Sequence, residues 1–442
     1  MTRRLHLNVN ILQAGFSPAA WRAPEVDPRA TFDVGHYIRC ARIAERGKLD
    51  AVFLADTPAI TDRIDHRPAL ALEPTIVLAA IAGATERIGL IATVSTTFNE
   101  PYNIARRFAT LDHASQGRTG INLVTNADPG SARNFGLTTQ PDHAWRYERA
   151  GEFAGVLKAL WDSWDDDAVV ADKAAGQFVD LGRVRPISWR GKHFAVEGPL
   201  NLPRPPQGHP LILQAGGSAD GQDLAARHAE AVFSASQDLD EARLYSAKLK
   251  ARAAGYGRQG GVPLNLAGLV TILGSTEAEA EARREELRDL IPVDYGQARL
   301  AGLLGLTPGE LDLDAPLPDQ IAPPANGGHT FARAVIARGR KGNLTLRQLI
   351  RELDSGMGHR TVVGTPEQVA DDIETWFRAG AADGFNLLPD VLPTGLETFV
   401  DEVVPLLQAR GLFRRDYEGA TLRDHLGLER PRCRRDAALA AE

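Results

Sequence analysis

Cysteine is scarce. The 442-residue chain has two, Cys40 inside a helical pattern and Cys433 near the end. Two such residues make neither a disulfide framework nor a thiolate metal site. Long apolar runs are missing as well. None approaches the roughly 20 residues needed to cross a bilayer, and the opening MTRRLHLNVN runs straight into a strand without the apolar core of a signal peptide. The expectation is a cytoplasmic protein that does not enter a membrane. Charge of one sign is absent too: the net charge is −7 with acids and bases mixed along the chain, so nucleic acid is not an expected partner. There is no Walker A motif, no HExxH and no cysteine cluster. Gly255, Gly257 and Gly260 match G-x-G-x-x-G, but they follow a helix and precede a strand, the reverse of the dinucleotide fingerprint. GGSAD, Gly216 to Asp220, falls one glycine short of a nucleophile elbow, with no histidine or acid partner evident. The chain therefore has no Rossmann-type nicotinamide site of its own and no recognisable metal site. What is left, 43% hydrophobic and 24% charged, is the composition of a soluble globular enzyme.

The organising stretch is Arg87 to Asn126. Ile88 to Val94 reads as a strand ending in Ser95, Thr96 and Thr97. Pro101 opens a helix with Ile104, Phe108 and Leu111 on one stripe, and Gly117 closes it. Gly120 to Thr125 is the second strand, with Asn122, Thr125 and Asn126 near its end. This is a parallel βαβ unit, with polar side chains at the carboxyl ends where α/β folds place ligands. Similar units precede it: a strand Leu5–Leu12 with a helix capped by Asp33, then AVFLAD (51–56) with a helix opened by Pro74 and carrying Ile76, Val77, Ala80 and Ile81. After a polar loop, 127–142, a long helix runs from about Tyr147 to Trp164. The rhythm returns at LILQAG (211–216) and continues through strands at 231–236, 264–273 and 384–390. Thr276 with Glu279, and Thr365 with Gln368, read as capping boxes. About eight βα units along the chain favour an α/β (β/α)8 TIM barrel. The expected division is one barrel domain over 1–428, with insertions at about 165–208 and 292–360 and a tail at 429–442. An insertion as long as 292–360 is read as a lid.

QAGGS, Gln214 to Ser218, is the clearest local site. Gly216 and Gly217 let the backbone approach an anion, the following helix offers unpaired N–H groups, and Ser218 adds a hydroxyl. The same residues also suit an ordinary βα turn capped by serine. Barrel phosphate sites commonly follow strands seven and eight, whereas this turn follows the fifth strand counted. Asp56 ends a strand on the ligand face, or simply caps the next helix. His143 and Tyr147, four apart, reach one side of the mouth if helical; a loop histidine and a packing tyrosine are the plainer alternative. Thr93 lies near its strand's end, where β-branched packing would also explain it.

Taken together, AERGKLDAVFLAD (44–56), the stretch 85–125, ARNFG (132–136), RYERAGEF (146–153), GPLNLPRPPQGHPLILQAGGS (198–218), VVGTPEQVADDIETWFRAGAADGFNL (362–387) and RGLFRRDYEGATLRDHLGL (410–428) resemble the bacterial luciferase-like flavin monooxygenases. The group is that of nitrilotriacetate monooxygenase, dibenzothiophene sulfone monooxygenase and pristinamycin synthase. The resemblance implies a barrel binding FMN, as FMNH2, through Asp56, Thr93, His143, Tyr147, Gly217 and Ser218. It implies a separate NAD(P)H:FMN reductase as partner, a flavin (hydro)peroxide that oxidises a small sulfur- or nitrogen-containing molecule, and a homo-oligomer, dimer or tetramer. His329, beside Gly327 and Gly328, is a candidate lid residue or an exposed loop histidine. A deazaflavin-dependent oxidoreductase on the same barrel and a non-catalytic flavin-binding protein are the alternatives.

Overall fold

The computed structural model describes residues 3–433 apart from 61–63, 70, 259–262, 308–311, 319, 322–328 and 353–357. The buried runs HLNVN (β1, His6–Asn10), AVFL (β2, Ala51–Leu54), GLIATVS (β3, Gly89–Ser95) and TGINLV (β4, Thr119–Val124) alternate with α1 (Val34–Arg46), α2 (Pro74–Ala84) and α3 (Pro101–Ala114). Local chemistry starts each helix. Asp33 accepts from the Gly35 amide at the head of α1, Glu73 accepts from Ile76 at α2, and Pro74 and Pro101 fill first-turn positions where an N–H would go unpaired.

After β4 come α4 (Pro129–Asn134) and the long α5 (His143–Trp161). Two short hairpins follow, β5 (Val169–Asp172) with β6 (Gln177–Val179) and β7 (Trp189–Arg190) with β8 (Ala195–Val196). The alternation resumes with β9 (Leu211–Gln214), α6 (Ala219–His228), β10 (Ala231–Ser234), α7 (Leu239–Gly255), β11 (Leu264–Leu273) and α8 (Glu277–Asp289). Next are α9 (Val293–Leu304), α10 (His329–Gly342), α11 (Leu346–Glu352), β12 (Arg360–Gly364), α12 (Pro366–Arg378) and β13 (Gly384–Pro389). The chain finishes with α13 (Thr394–Thr398), a π-helical turn at Phe399–Val403, α14 (Val404–Ala409) and α15 (Leu422–His425).

Eight strands close a parallel ring in the order β1-β2-β3-β4-β9-β10-β11-β13, with β13 returning to β1. This is the expected (β/α)8 barrel. The side-chain period of two divides each strand between faces. Leu7, Val9, Val52, Leu54, Phe385 and Leu387 lie in the main core with the outer helices. The residues between them, including Asn8, Asn10, Phe53 and Asn386, therefore point into the ring.

The C-terminal segment floors the amino end of the barrel. Leu422 and Leu426 pack with Ala51, Ile91, Leu211 and Leu266. A Cβ on Gly89 would lie 2.5 Å from Leu422 Cδ1, so the strand must be bare there. Arg414 pairs with the fully buried Asp50, and Arg423 Nη2 lies 3.3 Å from Glu230 Oε1. Arg430 bonds Asp166 and Cys433 approaches Asp162 O at 3.9 Å, so the start of the expected tail lies on the barrel. Among the described residues this end is plugged, which leaves the carboxyl-end mouth for chemistry.

The structure amends several expectations. Ile76 is 72% exposed, while Val77, Leu78 and Ile81 face the core. The polar loop 127–142 contains α4, started by Asp128 and Pro129. The insertion between 292 and 360, which reads from sequence as an irregular stretch with short helical pieces, contains among the described residues three helices that share a core of Leu300, Leu304, Val335, Ile336, Leu346 and Leu349. β12 was not foreseen. It pairs with Leu269–Leu273 of β11, beyond the Leu264–Ala267 stretch used by β10, and so stands outside the ring. Thr365 and Gln368 make both halves of a capping box, and Thr276 accepts from the Glu279 amide. Gly255 ends α7 and Gly257 follows it on the way to β11, the helix-to-strand context that rules out a dinucleotide loop; Gly260 lies outside the described residues.

Candidate functional site

The site is built where α5 and α6 begin. QAGGS follows β9, the fifth strand of the ring, as counted from sequence. Gly216 makes the turn possible: a Cβ there would lie 2.4 Å from Gln214 Nε2 and 2.9 Å from Gly221 Cα. Gly217 is exposed, and its carbonyl accepts from Gln222 Nε2 at 3.1 Å. Ser218 caps α6 by accepting from the Gly221 amide at 3.1 Å, so the plain capping role is real. The same hydroxyl donates to Tyr147 Oη at 3.4 Å across the gap between the helices. The amides of Gly217, Ser218, Ala219 and Asp220 have no acceptor among the described residues. They form an N-terminal donor cluster of the kind that holds anions.

His143 opens α5, with Nδ1 3.0 Å from Asp220 Oδ2 and its ring centroid 4.6 Å from that of Tyr147. His143, Tyr147, Gly217 and Ser218 are thus brought together. Arg146, between the two α5 residues, was not singled out from sequence. It is 3% exposed and donates to Pro141 O at 3.0 Å and to the carbonyls of Thr125 and Asn126. No carboxylate among the described residues pairs with it, and burial holds its pKa below the ordinary arginine value. It ties the end of β4 to α5 and leaves uncompensated positive charge at the mouth.

Asp56 and Thr93 lie apart from that cluster, on the ends of β2 and β3. Burial, then repulsion from Glu73, pushes the Asp56 carboxyl up to about 6. Thr93 Oγ1 accepts from Asn122 Nδ2 at 3.1 Å between neighbouring strands. The inward face also carries residues the sequence reading passed over. Phe53 and Phe233 meet edge to face at 5.7 Å, and His359 stacks flat on Phe233 at 5.0 Å. His359 comes down over bare Gly268, where a Cβ would be 2.2 Å from its Nδ1, and burial lowers its pKa to about 4. Asn8, Asn10 and Asn386 complete the lining; the polar alternation His6, Asn8, Asn10 was the available signal. His329 begins α10, and its side chain lies outside the described set. Among the described residues there is no cluster of metal-ligating side chains, and no helix is long and apolar enough to cross a membrane.

A (β/α)8 barrel whose carboxyl-end mouth gathers helix N-terminal amides is the arrangement of barrel enzymes, and comparison with known proteins narrows the class. The family model described as luciferase-like monooxygenase matches residues 15–383. Nitrilotriacetate monooxygenase component A of Aminobacter aminovorans is 44% identical over 443 residues, covering 97% of this chain and 98% of that protein. The structure of EDTA monooxygenase from Chelativorans sp. BNC1 superposes with a TM-score of 0.81 at 37% identity, covering 98% of this chain and all of the other. A riboflavin lyase solved with modified FMN and riboflavin gives a TM-score of 0.85 at 30% identity, with 98% of both chains covered. The chain belongs to the luciferase-like monooxygenase family, and it is an enzyme of that flavin-dependent oxygenase class.

Proposed function

We propose that this chain is the oxygenating half of a two-protein system. It takes reduced FMN from a separate NAD(P)H:FMN reductase and uses dioxygen to oxidise a small organic sulfur- or nitrogen-containing compound. The carrying observation is the junction of α5 and α6. Four amides without an acceptor among the described residues, the Ser218 and Tyr147 hydroxyls and His143 meet at one turn. A phosphate monoester has the charge and acceptor oxygens that this donor set lacks. The word "component" in the name of the Aminobacter relative supports a division of labour between proteins, and FMN in the lyase structure supports the choice of flavin.

When bound, reduced FMN supplies the electrons that activate dioxygen. The remaining work falls to the chain. QAGGS, Tyr147 and His143 fix the phosphate end. Asp56 and Thr93, on the neighbouring strands, meet the ribityl chain or the ring. With its carboxyl near 6, Asp56 is able to hold or release a proton close to neutral pH. Phe53, Phe233 and His359 present a dry wall that keeps water from the reacting atoms. The helices α9–α11 serve as the lid. α9 is tied to the loop after β2, where His66 Nε2 lies 3.2 Å from Asp294 Oδ2 and its ring meets Tyr295 edge to face at 6.3 Å.

The test is consumption of NADH by the purified chain with FMN present. Alone, it should consume almost none. Adding an unrelated FMN reductase should start oxygenation of a compound from a panel of sulfur and nitrogen substrates. Rapid NADH oxidation by the chain alone would contradict the two-protein reading.

A further inference from the structure

The anion site at the head of α6 contains a carboxylate, a group of the wrong sign to welcome a phosphate. Asp220 stands in the first turn of α6, and its own amide is one of the four without an acceptor among the described residues. A carboxylate suits a helix N-terminus for the same reason a phosphate does, so the two compete for one field. What sets Asp220 apart is its partner. His143 Nδ1 lies 3.0 Å from its Oδ2, across the junction from α5 to α6.

The imidazole is held on two sides. Asp220 takes Nδ1, and the ring lies against that of Tyr147, 4.6 Å between centroids at a tilt of 42°. Tyr147 Oη in turn meets Ser218 Oγ at 3.4 Å. Nε2, on the far edge of the ring, has no partner among the described residues. The side chains of His143 and Asp220 are 42% and 56% exposed, so a ligand can reach both. The charged groups around the pair point elsewhere. Arg252 of α7 donates to Ala219 O at 3.1 Å, Arg146 turns to the strand-end carbonyls, and Asp223 on α6 pairs with Arg227. Asp142, the residue before His143, is exposed at the head of α5.

An ionised carboxylate can only accept, so the hydrogen on Nδ1 is committed to Asp220. The state of His143 then decides what Nε2 offers. With the ring protonated, both nitrogens carry hydrogen: one satisfies Asp220, and Nε2–H is a cationic donor for a phosphate oxygen. With the ring neutral, its single hydrogen stays on Nδ1. Nε2 becomes an acceptor facing acceptors, and the Asp220 charge is left unbalanced beside the ligand.

We infer that Asp220 is a positioning residue that fixes the tautomer of His143 and so couples phosphate binding at this junction to one proton. A flavin phosphate is held while His143 is protonated and released when it is not. The inference rests on the flavin reading of the site and adds its regulation, since a protein that receives flavin from another must let it go as well as bind it.

The experiment titrates flavin-free protein with FMNH2, kept reduced under nitrogen, by calorimetry from about pH 6 to about pH 8.5, a span that covers histidine titration. Reduced riboflavin, which has the same ring and no phosphate, is the control. Wild-type affinity for FMNH2 should fall at least about tenfold across this range, the size of one charge-assisted hydrogen bond. Affinity for reduced riboflavin should not follow it. In Asp220→Asn the amide donates to Nδ1, the neutral ring carries its hydrogen on Nε2, and the bond to phosphate survives. Its profile should be flatter, and at the alkaline end it should bind FMNH2 more tightly than wild type. His143→Gln, which cannot titrate, should lose the slope as well. The second ionisation of the phosphate, at about pH 6, is common to all three proteins and drops out of the comparison. Parallel profiles in wild type and Asp220→Asn would reduce Asp220 to a first-turn helix acid and overturn the inference. A slope that survives in His143→Gln overturns the assignment to that ring. Binding by the wild type without a slope removes this inference alone, whereas failure to bind FMNH2 at any pH removes the flavin reading itself.

Discussion

Ser218→Asp separates the two roles of the QAGGS serine. As an N-cap, aspartate is as good as serine, and its charge suits the start of a helix. The bond from the Gly221 amide, 3.1 Å in the native protein, should therefore be retained, and stability should change by less than about 0.5 kcal/mol. Binding of a phosphate should behave in the opposite way. The hydroxyl that donates across to Tyr147 is replaced by an acceptor, losing a charge-assisted bond of about 1.5–3 kcal/mol. The new carboxylate also repels the phosphate. At about 4 Å that costs roughly 1 kcal/mol per charge pair in water and about 4 at a surface-like effective dielectric. Even the lower sum, about 2.5 kcal/mol, is more than a fiftyfold loss of affinity. Ser218→Ala gives the converse pattern: about 1 kcal/mol of cap stability lost, with a smaller binding deficit. Urea denaturation gives the first quantity and flavin titration the second, with riboflavin as a control lacking the phosphate. The reasoning is refuted if Ser218→Asp binds FMN as tightly as wild type, or if FMN and riboflavin lose affinity equally.

Asp56 gives a pH-dependent prediction. Its carboxyl is raised to about 6, so the folded state holds this proton more tightly than the unfolded chain, whose ordinary value is 3.8. Its contribution to stability therefore falls as pH rises from about 4 through 6 and is level above that. Asp56→Asn should gain melting temperature relative to wild type at pH 7.5 and gain less at pH 5; equal gains at both would refute the shift. Leu422→Ala, in the barrel floor, should cost about 2–5 kcal/mol by urea denaturation and leave flavin affinity unchanged, since the floor lies opposite the mouth. A large fall in affinity there would mean that the two ends are coupled. Gly257→Ala should leave reductase-coupled oxygenation nearly intact, because that glycine only joins α7 to β11; loss of NADH-dependent turnover would reopen the question of a nicotinamide site.

The barrel was legible because its grammar is local. Buried runs, first-turn prolines and side-chain caps announce each βα unit, so β1 to β4 and β9, β10, β11 and β13 fall close to where periodicity puts them. β12 was missed because RTVVG is short and its partner, the second half of β11, is far away in sequence. The helices within 292–360 are legible in the sequence only as short pieces, because their shared core, Leu304 with Ile336 and Leu349, is a tertiary fact without one long stripe. At the site, QAGGS carries its own signature, and the four-residue spacing of His143 and Tyr147 follows from helix geometry. Their meeting with Ser218 depends on how α5 lies against α6, which no spacing encodes. Arg146 reads from sequence as one more helix arginine; only the fold shows its guanidinium spent on strand-end carbonyls. Asn386 reads as a polar break in a strand until the ring closes and Asn8 is found beside it.

The most direct test of the central claim is the origin of the oxygen atom in the product. The chain, an FMN reductase, NADH and FMN are incubated under 18O2 in ordinary water with a panel of thioethers, sulfones and tertiary amines, and products are analysed by mass spectrometry. A flavin-dependent monooxygenase predicts one product carrying a single 18O atom, formed only when both proteins are present. Product formed without dioxygen, or carrying its new oxygen from water, would contradict the account.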